Sequence, residues 1–375
     1  MLRVHRRKIL LQRLYFKFMA LTALDKLRLF LRPPGKGIYT PSTGGGYAQR
    51  LHETMYGSAD PKQVQNLWEE TFQKIRRAEG FILGVPSDTG AGIMKGANFG
   101  PLGVREAYFD QFQAYPKNII DLGDVICVPH FLHDEMLSPY QLTATRKELY
   151  PGQEEPLPVS PLSIAEGVLK AVFELNPQAR VYLIGGDHSV SWPSMVYCHS
   201  RFGKDFGVLH FDAHTDLMTS RLGVDYCFAT WAYQALKFLK PHHLVQVGIR
   251  SSAKTKAQWA ELHPVTQFWA PEVLGHEAQI IQKVCQHFSE KGIKSIYISN
   301  DIDGTDSSEA SATGTPEPAG LKSEFVKELI SEVKSRFSVF GGDVVEVAPP
   351  LSGKKEFKEE ATCRLGAQYL HELIQ

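Results

Sequence analysis

Short apolar runs alternate along the chain with segments that have the apolar spacing of helices, such as residues 164–175. Two of the runs come early, at residues 80–85 and 119–123. The later runs end near Ile184, Phe211, Ile249, Ala270, Ser299 and Val347. This alternation is typical of parallel strands that are joined by helices. We therefore predict an α/β fold of three layers, α/β/α, with a mainly parallel central sheet.

The N-terminus has a different pattern. Residues 1–36 carry many Lys and Arg but a single acidic residue, Asp25. Apolar residues from Leu10 to Leu24 recur at helical spacing, which predicts a basic amphipathic helix. Basic residues interrupt it, so it is a poor signal peptide, and no run is apolar enough to span a membrane. We expect this helix to pack on the domain or on a neighbouring subunit. Contact with an anionic membrane surface is the less favoured alternative.

Length and composition favour one large domain. We predict a basic N-terminal extension at residues 1–77 and a single domain at residues 78–375, within which residues 132–161 form a Pro-rich surface excursion.

The 41 Lys and Arg residues balance the 41 Asp and Glu residues, which argues against nucleic acid as a partner. Five scattered Cys residues without CxxC spacing indicate free thiols, and so a cytoplasmic location.

Three of the apolar runs end in clusters of metal-binding residue types. Residues 185–189 read GGDHS, residues 212–216 read DAHTD, and residues 300–303 read NDID. In an extended backbone, side chains at alternate positions point to the same side. The carboxyl ends of parallel strands are also where ligands bind in open α/β sheets. We therefore expect six side chains to converge at this edge: His188, Asp212, His214, Asp216, Asp301 and Asp303.

Such a ligand set points to divalent metal ions. Carboxylate oxygens with some imidazole suit Mn²⁺, with Ni²⁺, Co²⁺ or Zn²⁺ as alternatives. Six ligands are too many for one tetrahedral zinc, but they suit two ions that share bridging carboxylates. A single Asp-x-Asp pair would more often be a solvated strand end. Three clusters in one chain favour the metal interpretation.

Taken in this order, the three clusters resemble those of the ureohydrolase (arginase/agmatinase) superfamily. Residues 312–321 are similar to the loop that follows the Asp-x-Asp motif there. Residues 343–349 resemble a strand that ends in a substrate-facing Glu, which is Glu346 here. The resemblance covers residues 78–375. It implies that this catalytic domain has an arginase-like fold and that the protein forms a homo-oligomer.

The resemblance also implies roles for the clustered residues. His188, Asp212, Asp216 and Asp301 would bind one metal ion, and His214, Asp212, Asp301 and Asp303 would bind the other. Asp212 and Asp301 would bridge the two. A bridging hydroxide would attack the carbon of a guanidino compound, with Glu346 holding the cation and Asp216 passing a proton to the leaving amine. Asp187 is expected to support the structure and not to bind metal.

Some departures from the family pattern bear on the substrate. A His-Gly pair that usually follows the DAHTD-type motif is absent, since residues 225–231 read DYCFATW. Cys227 is the nearest titratable group there, and we expect a small buried thiol. After Arg250, Ser251 and Ser252 replace an acidic pattern that helps to bind an amine-bearing tail.

These departures favour an agmatinase-like or related amidinohydrolase over an arginase. The expected reaction is hydrolysis of a C–N bond, other than a peptide bond, in a small linear amidine. A formimidoylglutamate hydrolase is one alternative, and a metal-binding family member without catalysis is another. The related one-zinc deacetylases are less favoured, because they would not require all six ligands.

Overall fold

The computed structural model describes residues 21–40 and 46–375. The helix predicted from Leu10 to Leu24 therefore lies almost wholly outside the described residues. The described part of the extension begins with a helix, Ala23–Phe30, in which Leu27 and Phe30 are buried. This helix packs against the domain, because Phe30 lies close to Gly167 in the helix Pro161–Leu175.

One nine-stranded sheet forms the centre of the described part of the chain. Its strands are β1 (Leu31–Arg32), β2 (Gly80–Val85), β3 (Ile119–Val125), β4 (Arg180–Gly185), β5 (Gly207–Phe211), β6 (Leu244–Val247), β7 (Thr266–Phe268), β8 (Ser295–Asp301) and β9 (Ser338–Val345). They lie in the order β1-β3-β2-β4-β9-β8-β5-β6-β7. All neighbours pair in parallel except β1, which is antiparallel to β3.

Helices cover both faces of the sheet. In chain order the α-helices of the described residues are Ala23–Phe30, Gln49–Tyr56, Pro61–Thr71, Gly100–Phe112, Pro139–Leu149, Pro161–Leu175, Ser191–Phe202, Trp231–Ala235, Lys256–Leu262, Ala270–Val273, Glu277–Glu290, Ser323–Arg336 and Ala361–Ile374. None of the helices in the described ranges is long and apolar enough to cross a membrane.

The two faces of the sheet bury separate apolar clusters. Along β4, Leu183 belongs to one cluster and the next residue, Ile184, belongs to the other. Full burial of such a side chain contributes about 1.5–3 kcal/mol, so the strands are stabilised from both faces. The prediction of a three-layer α/β/α fold with a mainly parallel sheet is confirmed.

A buried ion-pair cluster ties the helix Gly100–Phe112 to strand β3. Arg105 is fully buried, and its Nε lies 2.8 Å from Asp121 Oδ2. Its Nη1 lies 2.5 Å from Asp124 Oδ1. The same guanidinium donates to the carbonyl oxygen of Gly123. Charge-assisted hydrogen bonds therefore hold the helix against the strand.

Candidate metal centre

The predicted ligands lie where β4, β5 and β8 end, close to the middle of the sheet. His188 begins a short 3₁₀ turn, His188–Val190, that follows β4. Asp212 directly follows β5, and Asp301 is the last residue of β8. Asp303 sits in a second 3₁₀ turn, Ile302–Gly304. Because β4, β9, β8 and β5 are neighbours in the sheet, their carboxyl ends bring these side chains together.

One group of side chains surrounds His188. Its Nδ1 atom lies 3.2 Å from Asp212 Oδ2, 3.2 Å from Asp216 Oδ2 and 3.0 Å from Asp301 Oδ2. All four side chains are buried. Nδ1 nevertheless has no hydrogen-bond partner among the described residues. An unpaired ring nitrogen that faces three carboxylates is the arrangement that a divalent cation would complete.

A second group is joined to the first through Asp212. His214 Nδ1 lies 3.3 Å from Asp212 Oδ1 and 3.2 Å from Asp303 Oδ2. Asp212 thus presents one oxygen to each histidine. Asp301 faces His188 through its Oδ2, and its Oδ1 accepts a hydrogen bond from the backbone N–H of Asp303, in the second group, at 2.9 Å. The six predicted residues are therefore brought together, with Asp212 central.

The hydrogen bonds of His188 leave Nδ1 as the ring nitrogen that faces the carboxylates. Its other ring nitrogen, Nε2, lies 3.0 Å from Ser299 Oγ. Ser299 donates its hydroxyl proton to Asp343 Oδ1 at 2.8 Å, so Ser299 accepts from the ring. Ser191 and Tyr297 also donate to Asp343, at 2.8 and 2.9 Å. A ring that is protonated on Nε2 has a bare Nδ1, which is the state that binds a metal ion.

The electrostatics of the cluster favour a bound cation. Burial acts to lower the pKa of His188, but the carboxylates that face it raise that pKa well above its ordinary value. Burial, followed by the charges of Asp303 and Asp212, raises the pKa of Asp301 well above its usual range. Burial opposes charge on His214 too, yet Asp212 and Asp303 raise its pKa to about 12. Divalent ions would relieve this repulsion, and they would displace protons when they bind.

Glu346 lies beside the cluster, directly after β9. Its Oε1 accepts the backbone N–H of His188 at 2.8 Å, and its own N–H donates to Gly186 O at 2.8 Å. Its backbone has a left-handed φ of 62°, which is uncommon for a residue other than glycine. A Cβ atom on Gly314 would lie 3.7 Å from Glu346 Oε2, so this second oxygen faces the loop that contains Gly314. Burial and the charges of Asp301 and Asp187 raise its pKa well above the usual range.

Asp216 is held in an unusual backbone conformation as well. Its φ is 52°, and its backbone oxygen accepts a hydrogen bond from Tyr233 N at 3.1 Å. The indole N–H of Trp231 donates to Asp216 Oδ2 at 2.8 Å. The helix Trp231–Ala235 therefore fixes how this carboxylate is turned. Asp187 accepts from the backbone N–H groups of Ser189 and Gly90, which is a supporting arrangement of the kind that we expected.

Phe228 and Cys227 occupy the segment in which the His-Gly pair is missing. The backbone N–H of Phe228 donates to Gly90 O at 3.1 Å. Its ring lies 3.4 Å from where a Cβ atom on Gly92 would stand, and the Arg221 guanidinium lies 5.1 Å from the ring centre. Cys227 is buried, and burial raises the pKa of its thiol.

Several residues around the cluster were not singled out from the sequence. They are His210, Trp231, Ser299, Thr315 and Asp343, each of which hydrogen-bonds to a predicted ligand or to a partner of one. His210 even lies near enough to His188, Asp212 and Asp216 to count as a ligand by distance. A polar residue two positions before a ligand, inside an apolar strand, is the signal that would have found His210 and Ser299.

The chain thus has a mainly parallel α/β sheet with clustered His and Asp side chains at its carboxyl edge, and this cluster could bind metal ions. A family model described as the arginase family matches residues 78–375. The chain therefore belongs to the arginase family, a family of metal-dependent hydrolases. This confirms the resemblance to the ureohydrolase superfamily.

The similar proteins are 23–28% identical to the chain over the aligned residues. The agmatinase of Bacillus subtilis (strain 168) is 27% identical over 313 residues, covering 82% of this chain and 92% of that protein. The human guanidino acid hydrolase, mitochondrial, is 28% identical over 313 residues, covering 78% of this chain and 76% of that protein. The crystal structure of formimidoylglutamase from Bacillus subtilis is similar in fold, with a TM-score of 0.62 at 23% identity, covering 79% of this chain and 87% of that chain. The relatives support a hydrolase that acts on C–N bonds.

Proposed function

We propose that this chain is a binuclear-metal hydrolase that cleaves a linear, non-peptide C–N bond of a guanidino compound. The observation that carries the proposal is the unpaired Nδ1 of His188, which faces three carboxylates and is joined through Asp212 to the group around His214. Mn²⁺ is the expected ion, with Ni²⁺, Co²⁺ and Zn²⁺ as alternatives.

The ligands divide into two sets that share bridging carboxylates. His188, Asp212, Asp216 and Asp301 would hold one ion, and His214, Asp212, Asp301 and Asp303 would hold the other. Bound together, the two ions would supply a hydroxide nucleophile near neutral pH. The protein's part is to fix the carboxylates in place, as Thr315 does when its hydroxyl donates to Asp303 Oδ2 at 2.8 Å.

Glu346 is proposed to hold the planar cation of the substrate. It is buried beside His188, and its Oε1 is already anchored by a backbone N–H, so its position is fixed before the substrate arrives. A guanidinium in contact with Oε2 would form charge-assisted hydrogen bonds, which are stronger than neutral ones. The cation would also offset the cost of keeping this carboxylate charged in a buried place.

Asp216 is proposed to pass a proton to the leaving amine. The N–H of Trp231 holds its Oδ2, so the carboxylate has one orientation relative to His188. Phe228 stands in the segment where the family usually has an imidazole, so we assign the proton transfer to Asp216. A carboxylate within reach of both nucleophile and leaving group can serve in both steps.

A substrate with a carboxylate tail is favoured by one observation, and formimidoylglutamate is the second candidate on this ground. Exposed Arg221 lies over Phe228, whose ring adjoins Gly92. The loop that contains Gly92 also approaches the loop that faces Glu346, because a Cβ atom on Gly314 would lie 3.2 Å from Met94 O. We assign the recognition of such a tail to Arg221, because a guanidinium recognises a carboxylate. The related human protein is named a guanidino acid hydrolase, which agrees with an acidic tail.

Product release from a small panel of compounds tests the proposal. Agmatine, arginine, 4-guanidinobutyrate and formimidoylglutamate would each be incubated with protein loaded with Mn²⁺ or Ni²⁺. Urea from a guanidino compound is the expected product, and formamide from formimidoylglutamate would support the second candidate. Metal binding without any product would instead indicate a metal-binding member without catalysis. Asp212→Ala, prepared in the same way, controls for contaminating hydrolases.

A further inference from the structure

A row of polar side chains crosses the sheet just below the proposed metal ligands. Gln267, Gln246, His210, Ser299 and Asp343 stand opposite one another in register on the strands β7, β6, β5, β8 and β9. All five are buried. Buried polar groups need hydrogen-bond partners. Within the row, Gln267 bonds to Gln246, Gln246 bonds to His210, and Ser299 bonds to Asp343, so each of these bonds constrains the proton positions of its pair.

The donor-to-acceptor direction of the hydrogen bonds in this row is fixed at the β7 end, where the row meets an indole. The Nε1–H of Trp269, which can only donate, lies 3.1 Å from Gln267 Oε1. The amide of Gln267 therefore turns its NH₂ group to Gln246 Oε1, at 2.8 Å. Gln246 in turn directs its own NH₂ group to Thr215 O, at 2.7 Å, and to His210 Nδ1, at 3.0 Å.

The proton of His210 is placed by this chain of donors. Its Nδ1 accepts from Gln246, so the ring hydrogen is on Nε2, and Nε2 lies 2.8 Å from Asp212 Oδ2. The ring is also enclosed, with the centres of the His188 and Trp231 rings 5.0 and 4.9 Å away. Neither nitrogen of His210 keeps a lone pair for a cation, which is the opposite of the arrangement at His188.

We propose that His210 is a positioning residue and not a metal ligand. Trp269, acting through Gln267 and Gln246, holds it as the Nε2–H tautomer, and this N–H orients the carboxylate of Asp212. The proposal rests on the proposed function, because it takes Asp212 to be a ligand of the metal centre. Outer partners of this kind turn a ligand toward the ion, and losing one typically lowers metal affinity about 10- to 100-fold.

The tautomer can be measured on metal-free protein. With ¹⁵N-labelled histidine rings, NMR spectra should show His210 protonated on Nε2, with its signals assigned by their loss in His210→Gln. Gln246→Glu places an acceptor against Nδ1, so a proton should appear there, while the exposed control Gln279→Glu should leave the ring unchanged. Wild-type His210 protonated on Nδ1 would overturn the proposal.

Metal affinity provides an independent test. His210→Gln places an amide N–H near the position of Nε2 and should bind Mn²⁺ with nearly wild-type affinity. His210→Phe keeps a ring without the donor, and its affinity should fall about 10- to 100-fold, with two ions still bound at saturation. If His210→Phe bound only one ion at saturation, or lost no affinity, the proposal would be wrong. Thermal unfolding of both variants would show that they are folded.

The two proposals can fail separately. Wild-type protein that binds two Mn²⁺ ions but carries the His210 proton on Nδ1 would refute the positioning role alone. Protein with the expected tautomer that binds no Mn²⁺ would refute the proposed function and, with it, the role of His210 in orienting a ligand.

Discussion

Asp212 connects the two halves of the site, since its oxygens face different histidines. Oδ2 lies 3.2 Å from His188 Nδ1, and Oδ1 lies 3.3 Å from His214 Nδ1. Oδ1 also accepts the backbone N–H of His214 at 2.5 Å, and Oδ2 accepts from His210. The carboxylate is thus fixed on both sides before any ion binds.

Asp212→Ala should reduce the metal content to well below two ions per chain, because it removes a ligand that both ions share. Asp301→Ala should have the same effect, because Asp301 is the second proposed bridge. Elemental analysis after dialysis measures this directly. Asp205→Ala, an exposed change in a loop, serves as the control. Full metal content and full hydrolysis in either site variant would show that the bridges are wrongly assigned.

Glu346→Gln should lower kcat/KM about 10- to 100-fold on the best guanidino substrate, because hydrogen bonds to a charged partner contribute about 1.5–3 kcal/mol. The Gln side chain can still accept the N–H of His188, so metal content should stay near normal. Steady-state kinetics with Mn²⁺ would measure the change. Glu332→Gln, in the helix Ser323–Arg336, provides the matched control. An unchanged kcat/KM would rule out Glu346 as the cation-binding group.

For single residues, the sequence predicts which side chains come together when all of them follow the same strand. It does not predict contacts that depend on how several strands pair. Asp212, His214 and Asp216 could be grouped because alternate positions share a side. Ser299 and Asp343 could not be linked to His188, because their contact depends on how β8 and β9 pair. Trp231 lies 15 residues from Asp216 and reaches it only once the intervening loop has folded back.

Elements were predicted well where a periodic pattern was strong. The strands end about where the apolar runs end. Strands β6, β7 and β9 stop two residues earlier than predicted, at Val247, Phe268 and Val345. Strands β3 and β8 run two residues further, to Val125 and Asp301. The stretch 132–161 was predicted as a surface excursion, yet it contains the helix Pro139–Leu149. That helix starts from a capping box at Ser138, and most of its side chains are exposed. The capping box favours a helix at this point. The segment has no apolar face, so the pattern of apolar residues did not predict the helix.

Arg105→Met should destabilise the fold by about 3–5 kcal/mol, because it leaves the buried charges of Asp121 and Asp124 without a partner. Urea unfolding would measure the loss. Arg364→Met is the matched control, since Arg364 pairs with Asp110 at the surface, where both side chains are 40% exposed. That pair should contribute less than about 1 kcal/mol. Equal losses in the two variants would contradict the role given to the buried cluster.

For the whole molecule, the proposed ions would join strands that are far apart in sequence. Their ligands follow β4, β5 and β8, so bound ions would link the middle of the sheet at its carboxyl edge. Charge repulsion among the buried carboxylates should make the metal-free protein less stable than the loaded one.

Removal of metal with a chelator should therefore lower Tm, and added Mn²⁺ should restore it. At a free ion concentration 100 times Kd, each site contributes about 2.7 kcal/mol of stability. Differential scanning calorimetry with and without EDTA measures the shift. Asp212→Ala should show almost none, which separates binding at this site from non-specific effects. A Tm that does not respond to Mn²⁺ in the wild-type chain would argue against a metal centre here.

The short antiparallel strand β1 closes one side of the sheet. Leu31 and Arg32 pair with Val125 and Asp124 of β3. Just beyond them, Cys127 accepts a backbone hydrogen bond from Tyr39. Without this segment, β3 would be an edge strand with unpaired backbone groups, which is a template for association with other chains. The extension thus covers the edge of β3 and keeps its backbone groups from pairing with another chain. The part of the chain that the family model matches, residues 78–375, does not include this covering strand.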